Sequence, residues 1–201
     1  MLIALVVVAL AAAVCVAYGI AIERRWYRLR SYDLAILPSD GPKRLDVLHL
    51  SDLHVVRGDG AKRRFLAGLP RADVTVVTGD LLAEPEAVEN VVDALKPARG
   101  RLASWFVLGS NDYFVPQPLN YFAYFRRNRR HRRAAGGRAR DLIAQLTADG
   151  WVDLTNSLRE TAIDGLDIEL LGLDDAHIQW HDLRVAPRRT ERFGMAVMHS
   201  P

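Results

Sequence analysis

One cysteine, Cys15, stands among 201 residues. A lone thiol excludes an internal disulfide framework and any cysteine-rich zinc module, and it leaves the redox compartment open. Charge is absent from residues 1–22. There is no internal repeat, and no low-complexity segment apart from one arginine run. Nothing matches a recognised nucleic-acid-reading module, so no specific nucleic-acid partner is expected. What is abundant is apolar: half the residues, too many for a disordered chain and enough for one core of ordinary size plus an appendage.

The formal net charge of +3 hides an uneven distribution. Arg24, Arg25, Arg28 and Arg30, with the eight arginines from Arg126 to Arg140, make 12 of the 27 cationic residues, while those two stretches hold Glu23 as their one acid. The remainder carries 15 cations against 23 acids, a net of −8. A general nucleic-acid coat is therefore a poor reading, and two local patches facing anions or a membrane are a better one.

As a helix, residues 1–22 would reach ~33 Å, about the thickness of a bilayer core. A cleaved signal peptide would have a shorter apolar core, a basic region before it and a small-x-small site after it. The chain has none of these, and Val14 before Cys15 makes a poor lipoprotein site. Residues 1–22 are thus expected to be an uncleaved, single-pass anchor. The arginines crowd its C-terminal flank with Trp26 and Tyr27, which suit the headgroup layer, and the positive-inside rule then puts the globular part on the cytoplasmic side of the cell membrane.

Residues 23–43 form a basic juxtamembrane segment and linker, with Pro38, Gly41 and Pro42 near its end. Residues 44–201 form the soluble domain. Its apolar pattern predicts strands at 45–50, 73–78 and 103–108 alternating with helices at 62–69 and 86–95, hence parallel pairing in an α/β layer domain. A basic helical stretch at 121–133 and a helix at 138–148 follow. Strand candidates at 151–154, 158–163, 168–171 and 194–199 suit a second sheet packed on the first.

Ligands of open α/β sheets collect just past the carboxyl ends of strands. Here the first strand leads to Ser51-Asp52-Leu53-His54, the second to Gly79-Asp80, the third to Gly109-Ser110-Asn111-Asp112 and the last to His199. In an extended segment Asp52 and His54, two apart, would face the same side and could chelate one cation. A carboxylate beside an imidazole suits manganese, iron or zinc better than magnesium or calcium. Each element alone is commonplace; their conjunction at successive strand ends points to metal.

These blocks resemble the calcineurin-like metallophosphoesterase superfamily, whose signature runs D-x-H, G-D, G-N-H-D or G-N-H-E, a lone His after a strand, and G-H-x-H. Asp52-Leu53-His54, Gly79-Asp80 and Met198-His199 match the first, second and fourth blocks. With the anchor and its arginines, the chain further resembles the membrane-associated bacterial branch related to diacylglucosamine-nucleotide pyrophosphatases. The resemblance implies a layered α/β/β/α sandwich and hydrolysis of a phosphomonoester, phosphodiester or pyrophosphate bond by a hydroxide activated between two divalent ions (Mn, Fe or Zn). Asp52 and His54 would hold the first metal, Asp80 would bridge, and Asn111 and His199 would hold the second. The substrate would be a phosphate ester, lipid-linked in a membrane setting.

Two departures qualify that expectation. The third block reads Gly109-Ser110-Asn111-Asp112. Either Asn111 has slipped one place to become the metal ligand, or Ser110 replaces it and Asn111 takes the histidine's place. Asn111 as ligand is favoured, with Asn111 and Asp112 the candidate catalytic residues. The histidine that would protonate the leaving group is missing in both cases, and general acid catalysis is worth ~10²–10⁴ in rate. Second, the family's G-H-x-H does not follow His199, so the sequence is expected to be a fragment with an incomplete second sheet. The alternative is an impaired fragment or a non-catalytic, membrane-bound binding protein. A weaker third possibility is a peripheral lipid sensor.

Other residues are read as follows. The aromatic and arginine run from Tyr121 to Arg133 fits either a docking patch for anionic headgroups or phosphorylated substrate, or a solvated insertion. His177 and His181, near Asp174 and Asp175, are read as surface histidines rather than cleft residues. His49 has the opposite strand parity from Asp52 and His54 and is read as structural.

Overall fold

The computed structural model describes residues 1–115, 138–187 and 190–200. Its first element, α1 (Leu2–Ala21), stands outside the folded body, with none of the span Ile3–Ala21 buried. By length and composition this helix is apolar enough to cross a membrane, a test that a signal sequence also passes. A 3-10 turn, Glu23–Arg25, follows it.

Four strands make a parallel sheet: β1 (Val47–Ser51), β2 (Val74–Thr78), β3 (Ala103–Val107) and β4 (Val152–Asp153). They lie side by side in chain order. Crossovers of one hand stepping in one direction put the described connecting helices on the same face. These helices are α2 (Gly60–Ala67), α3 (Val88–Leu95), the single turn α4 (Ser110–Tyr113) and α5 (Arg138–Ala148). In α3 the buried Val88, Val91, Val92 and Leu95 recur at helical spacing, so one stripe faces the sheet. It meets Leu48, Leu50, Val77 and Phe106 from the strands and Leu142 and Leu146 from α5 in one core.

The opposite face of the sheet is covered by a second sheet. β5 (Ser157–Ile163) and β6 (Leu166–Gly172) form an antiparallel hairpin, and β7 (Phe193–Val197) pairs parallel to β6. Asp164 (φ 49°) and Gly165 (φ 79°) supply the two left-handed residues that a two-residue hairpin turn needs. A second core then joins Val74, Val76, Trp105 and Val107 to Ile163, Leu166, Ile168, Leu170 and Val197, with Leu37 and Leu45 of the linker packed against it. β2 carries Val-Thr-Val-Val-Thr without alternation because both its faces are covered, and all five residues are buried.

The architecture is therefore mixed α/β, with one layer of helices and two of sheet among the described residues. The outer helical layer of the expected four-layer sandwich is not among them. The segment expected at 151–154 does not join the second sheet. Following α5, its core Val152–Asp153 extends the first sheet beside Trp105 and Phe106. The helix expected at 138–148 has those bounds, while the one expected at 121–133 lies outside the described residues.

Candidate metal centre

Beyond their carboxyl ends, β1 and β2 continue side by side as loops. Asp52 N donates to Gly79 O (3.2 Å), His54 N to Asp80 O (2.9 Å) and Val55 N to Leu81 O (2.8 Å), and Gly79 N donates to Val107 O (2.9 Å). The loops are thus hydrogen-bonded to one another before any side chain is considered. Asp52 (φ 54°), His54 (φ 41°) and Asp80 (φ 53°) all occupy the left-handed region. Residues with a Cβ adopt that region only where their surroundings hold them, at an order of 1–3 kcal/mol each, and such positions concentrate at functional sites. The expected strand alternation of Asp52 and His54 is corrected here: two left-handed turns, not an extended segment, bring them to one side.

Asp52, Asp80 and His199 each offer a ligand atom, and these atoms lie within 4.8 Å of one another. His54 adjoins them, its Nε2 3.9 Å from Asp52 Oδ1 and 3.7 Å from Asp80 Oδ2. His199 Nε2 lies 3.6 Å from Asp80 Oδ1. The buried Asp80 carboxylate thus stands between two imidazoles, one at each oxygen. Asn111 holds it there, donating from its backbone N to Oδ1 (2.8 Å) and from Nδ2 to Oδ2 (2.5 Å). A half-turn about the last Asn111 torsion would exchange its amide nitrogen for its oxygen, a metal donor.

His199 Nδ1 lies 2.9 Å from the Thr78 carbonyl, which can only accept, so Nδ1 carries the hydrogen and, in the neutral ring, Nε2 is left bare toward Asp80. Orientation of one ring nitrogen through the other is the usual arrangement at metal-ligating histidines. Desolvation pulls the His199 pKa down, but the Thr78 carbonyl and the Asp80 and Asp52 carboxylates outweigh it, and the net direction is upward. Ser51 Oγ, with one hydrogen, can donate to Asp52 Oδ2 (2.6 Å) or to Thr78 O (2.9 Å). Among the described residues no lysine or arginine pairs with Asp52 or Asp80; their ionic neighbours are the histidines. Two carboxylates with imidazoles and no fixed cation are a donor set that a divalent ion fits.

Two glycines make room for this cluster. A Cβ on Gly79 (φ 60°) would stand 2.6 Å from His199 Cγ, and one on Gly109 would stand 2.4 Å from Asp80 Oδ1. Any larger residue at either position would displace a donor.

Asp112 does not face the cluster. It has no solvent exposure, its Oδ1 accepts from Leu81 N (2.9 Å) and Leu82 N (3.0 Å), and its Oδ2 accepts from Gly109 N (3.0 Å). It ties together the loops that follow β2 and β3 and is not presented to a substrate, which corrects the expectation that it acts beside Asn111. His49 pairs with Thr78 Oγ1 (2.8 Å) away from the centre, and burial lowers its pKa. Asp175, wholly buried, accepts from Ser110 N (2.9 Å) and His177 N (2.7 Å) and so fixes the third loop. His177 itself is exposed.

Sequence reasoning missed three supporting groups: the Thr78 carbonyl, Ser51 and Lys62. Lys62 is the first-turn lysine of α2, and its ammonium reaches back to the loop holding Asp52 and His54. The one available signal was Asp59, a helix-capping residue three positions before it.

No family model matches the chain, and no curated protein matches it. Two solved structures are similar to it over part of its length. One is the phosphopantetheinyl hydrolase (PptH) of Mycobacterium tuberculosis, with a TM-score of 0.40 and 16% identity, covering 63% of this chain and 41% of that one. The other is AQ665 of Aquifex aeolicus, a protein of unknown function, with a TM-score of 0.29 and 12% identity, covering 63% and 60%. The chain therefore spans about two fifths of the hydrolase's length.

Proposed function

We propose that this chain is a membrane-anchored, metal-dependent phosphoesterase of the calcineurin-like type, acting on a phosphomonoester, phosphodiester or pyrophosphate bond. The observation that carries this reading is the convergence of Asp52, Asp80 and His199 donor atoms within 4.8 Å, at loops following three different strands. Asp52 and His54 would hold one divalent ion, Asn111 and His199 a second, and Asp80, with an oxygen toward each histidine, would be shared. Bound manganese, iron or zinc would supply Lewis acidity toward the phosphoryl oxygens and acidify water.

The chain's own residues set the geometry. The Asn111 backbone N fixes Asp80, while its side-chain amide, which donates to Asp80 Oδ2, would turn its oxygen to an ion; Thr78 fixes the His199 tautomer, and the left-handed turns aim Asp52 and His54. The buried Asp112 supplies no leaving-group acid, so turnover is slow. The arginines flanking α1 favour a catalytic domain on the cytoplasmic face and a lipid-linked phosphate ester as substrate.

The full chain, purified in detergent with manganese, should hydrolyse a generic phosphomonoester or phosphodiester, and Asp80→Ala should abolish the activity. Activity unchanged in that variant, or after chelation, would refute the reading. A second reading, metal binding without turnover, is favoured by the lack of a histidine within Gly109-Ser110-Asn111-Asp112. It predicts tight manganese binding to wild type and no hydrolysis above background.

A further inference from the structure

We propose that Lys62 is a positioning residue for the candidate metal centre. Its ammonium group holds the turn from Asp52 to His54 in the conformation that brings both side chains toward Asp80. This rests on the metal-centre reading above.

The conformation needs a restraint. Asp52 and His54 both have positive φ, with Leu53 between them. Backbone hydrogen bonds from Asp52 N and His54 N to the neighbouring loop pair these two amides, but they leave the Leu53 and His54 carbonyls to be paired from the other side. Lys62 does this. Its Nζ donates to Leu53 O and to His54 O (3.1 Å) and lies 3.1 Å from Asp59 Oδ2. An ammonium has three hydrogens; the two carbonyls receive two of them, and the Asp59 carboxylate supplies the counter-charge.

The group is also poorly solvated. The Lys62 side chain is 12% exposed and that of Asp59 17%. Poor solvation strengthens hydrogen bonds to a charged donor and makes an unfilled acceptor costly. Asp59 anchors the assembly at both ends, because its Oδ1 also accepts the backbone N of Lys62 (3.2 Å) and so caps α2. The Tyr27 ring, packed at a tilt of 32° against Phe65 with centroids 5.2 Å apart, has its centroid 6.0 Å from the ammonium and reaches it from the segment that follows α1. Lys62 thus meets the turn through the backbone, on the carbonyls of the residues beside and within the D-x-H pair.

The test uses the full chain in detergent, with Lys62→Met, which keeps length and loses the donors, and Lys62→Arg, which keeps them. Manganese affinity is measured by calorimetry, and amide hydrogen exchange is followed on the metal-free protein. Lys62→Met should weaken manganese binding 10–100-fold, the range seen when groups supporting metal ligands are removed. It should also speed exchange at His54 and Val55 while leaving β2 and α3 as they were. Lys62→Arg should recover most of the affinity. Binding within twofold of wild type in Lys62→Met, or a uniform rise in exchange across the domain, overturns the proposal. If Lys62→Met does not fold, Lys62→Gln takes its place with the same expectations. If wild type binds no manganese, the metal-centre reading falls, and the local exchange pattern alone then decides whether Lys62 holds the turn.

Discussion

Asp112 lies immediately after Asn111 in sequence, yet its carboxylate is shut away from water and surrounded by three backbone amides. Burial pushes its pKa up to about 7, against the pull of the Gly109, Leu82 and Leu81 amides and with a further push from the Asp80 charge. An unfolded aspartate titrates near ~3.9. Between about 4 and about 7 the folded chain therefore holds a proton that the unfolded chain has lost. The contribution of this group to stability is complete below about 4, declines as pH rises and is gone above about 7. Asp112→Asn should flatten that part of the profile, and it should also cost about 1–3 kcal/mol at acidic pH, because its amide group cannot accept from Gly109 N. Urea denaturation of both proteins from pH 4 to pH 8 checks this: a difference between them that does not vary with pH would contradict it.

Among the elements, α2 joins the cap, the lysine and the metal-centre loop in eight residues. Asp59→Ala removes the side-chain oxygen that caps Lys62 N and the counter-charge to Lys62 Nζ, and should lower stability by about 0.5–2 kcal/mol. Asp59→Asn should restore most of it, since asparagine caps as well. A urea midpoint for Asp59→Asn no higher than for Asp59→Ala would show that the charge, not the cap, matters.

How much of these elements could be read beforehand depended on who their neighbours are. The strand expected at 73–78, found at Val74–Thr78, was legible because an apolar run closed by Gly79 has few other readings, and α5 because it follows the break at Gly136 and Gly137. β4 was assigned to the wrong sheet: two half-buried residues carry no pattern that says which partner they take. The start of α2 was placed late, at Lys62, although the Asp59 cap precedes it. In the site, residue identity and order exposed Asp52, His54, Asp80 and His199 as candidates. The left-handed backbone of Asp52, His54 and Asp80 was not legible, because nothing in Asp or His demands it; it follows from loops held by Lys62 and by one another. The burial of Asp112 was hidden for a similar reason, since an aspartate's usual place is the surface.

In the whole molecule, Asp52, His54, Asp80 and Asn111 follow strands of the helix-covered sheet. His199 arrives from the second sheet, and its bond to Thr78 spans 121 positions in the chain. Closing so long a loop comes at an entropic cost that local helix formation does not meet, so distant pairings tend to form late. On refolding with cobalt as a coloured probe, far-ultraviolet circular dichroism should recover before the visible absorption appears; simultaneous recovery would contradict this order. A chain whose parallel sheet has formed but whose β7 is still undocked would then hold a divalent ion weakly, and a bound ion, by favouring the docked state, would act as a clasp between the two halves. Metal starvation should therefore reveal itself first as loosened packing at β7, before any loss of helix.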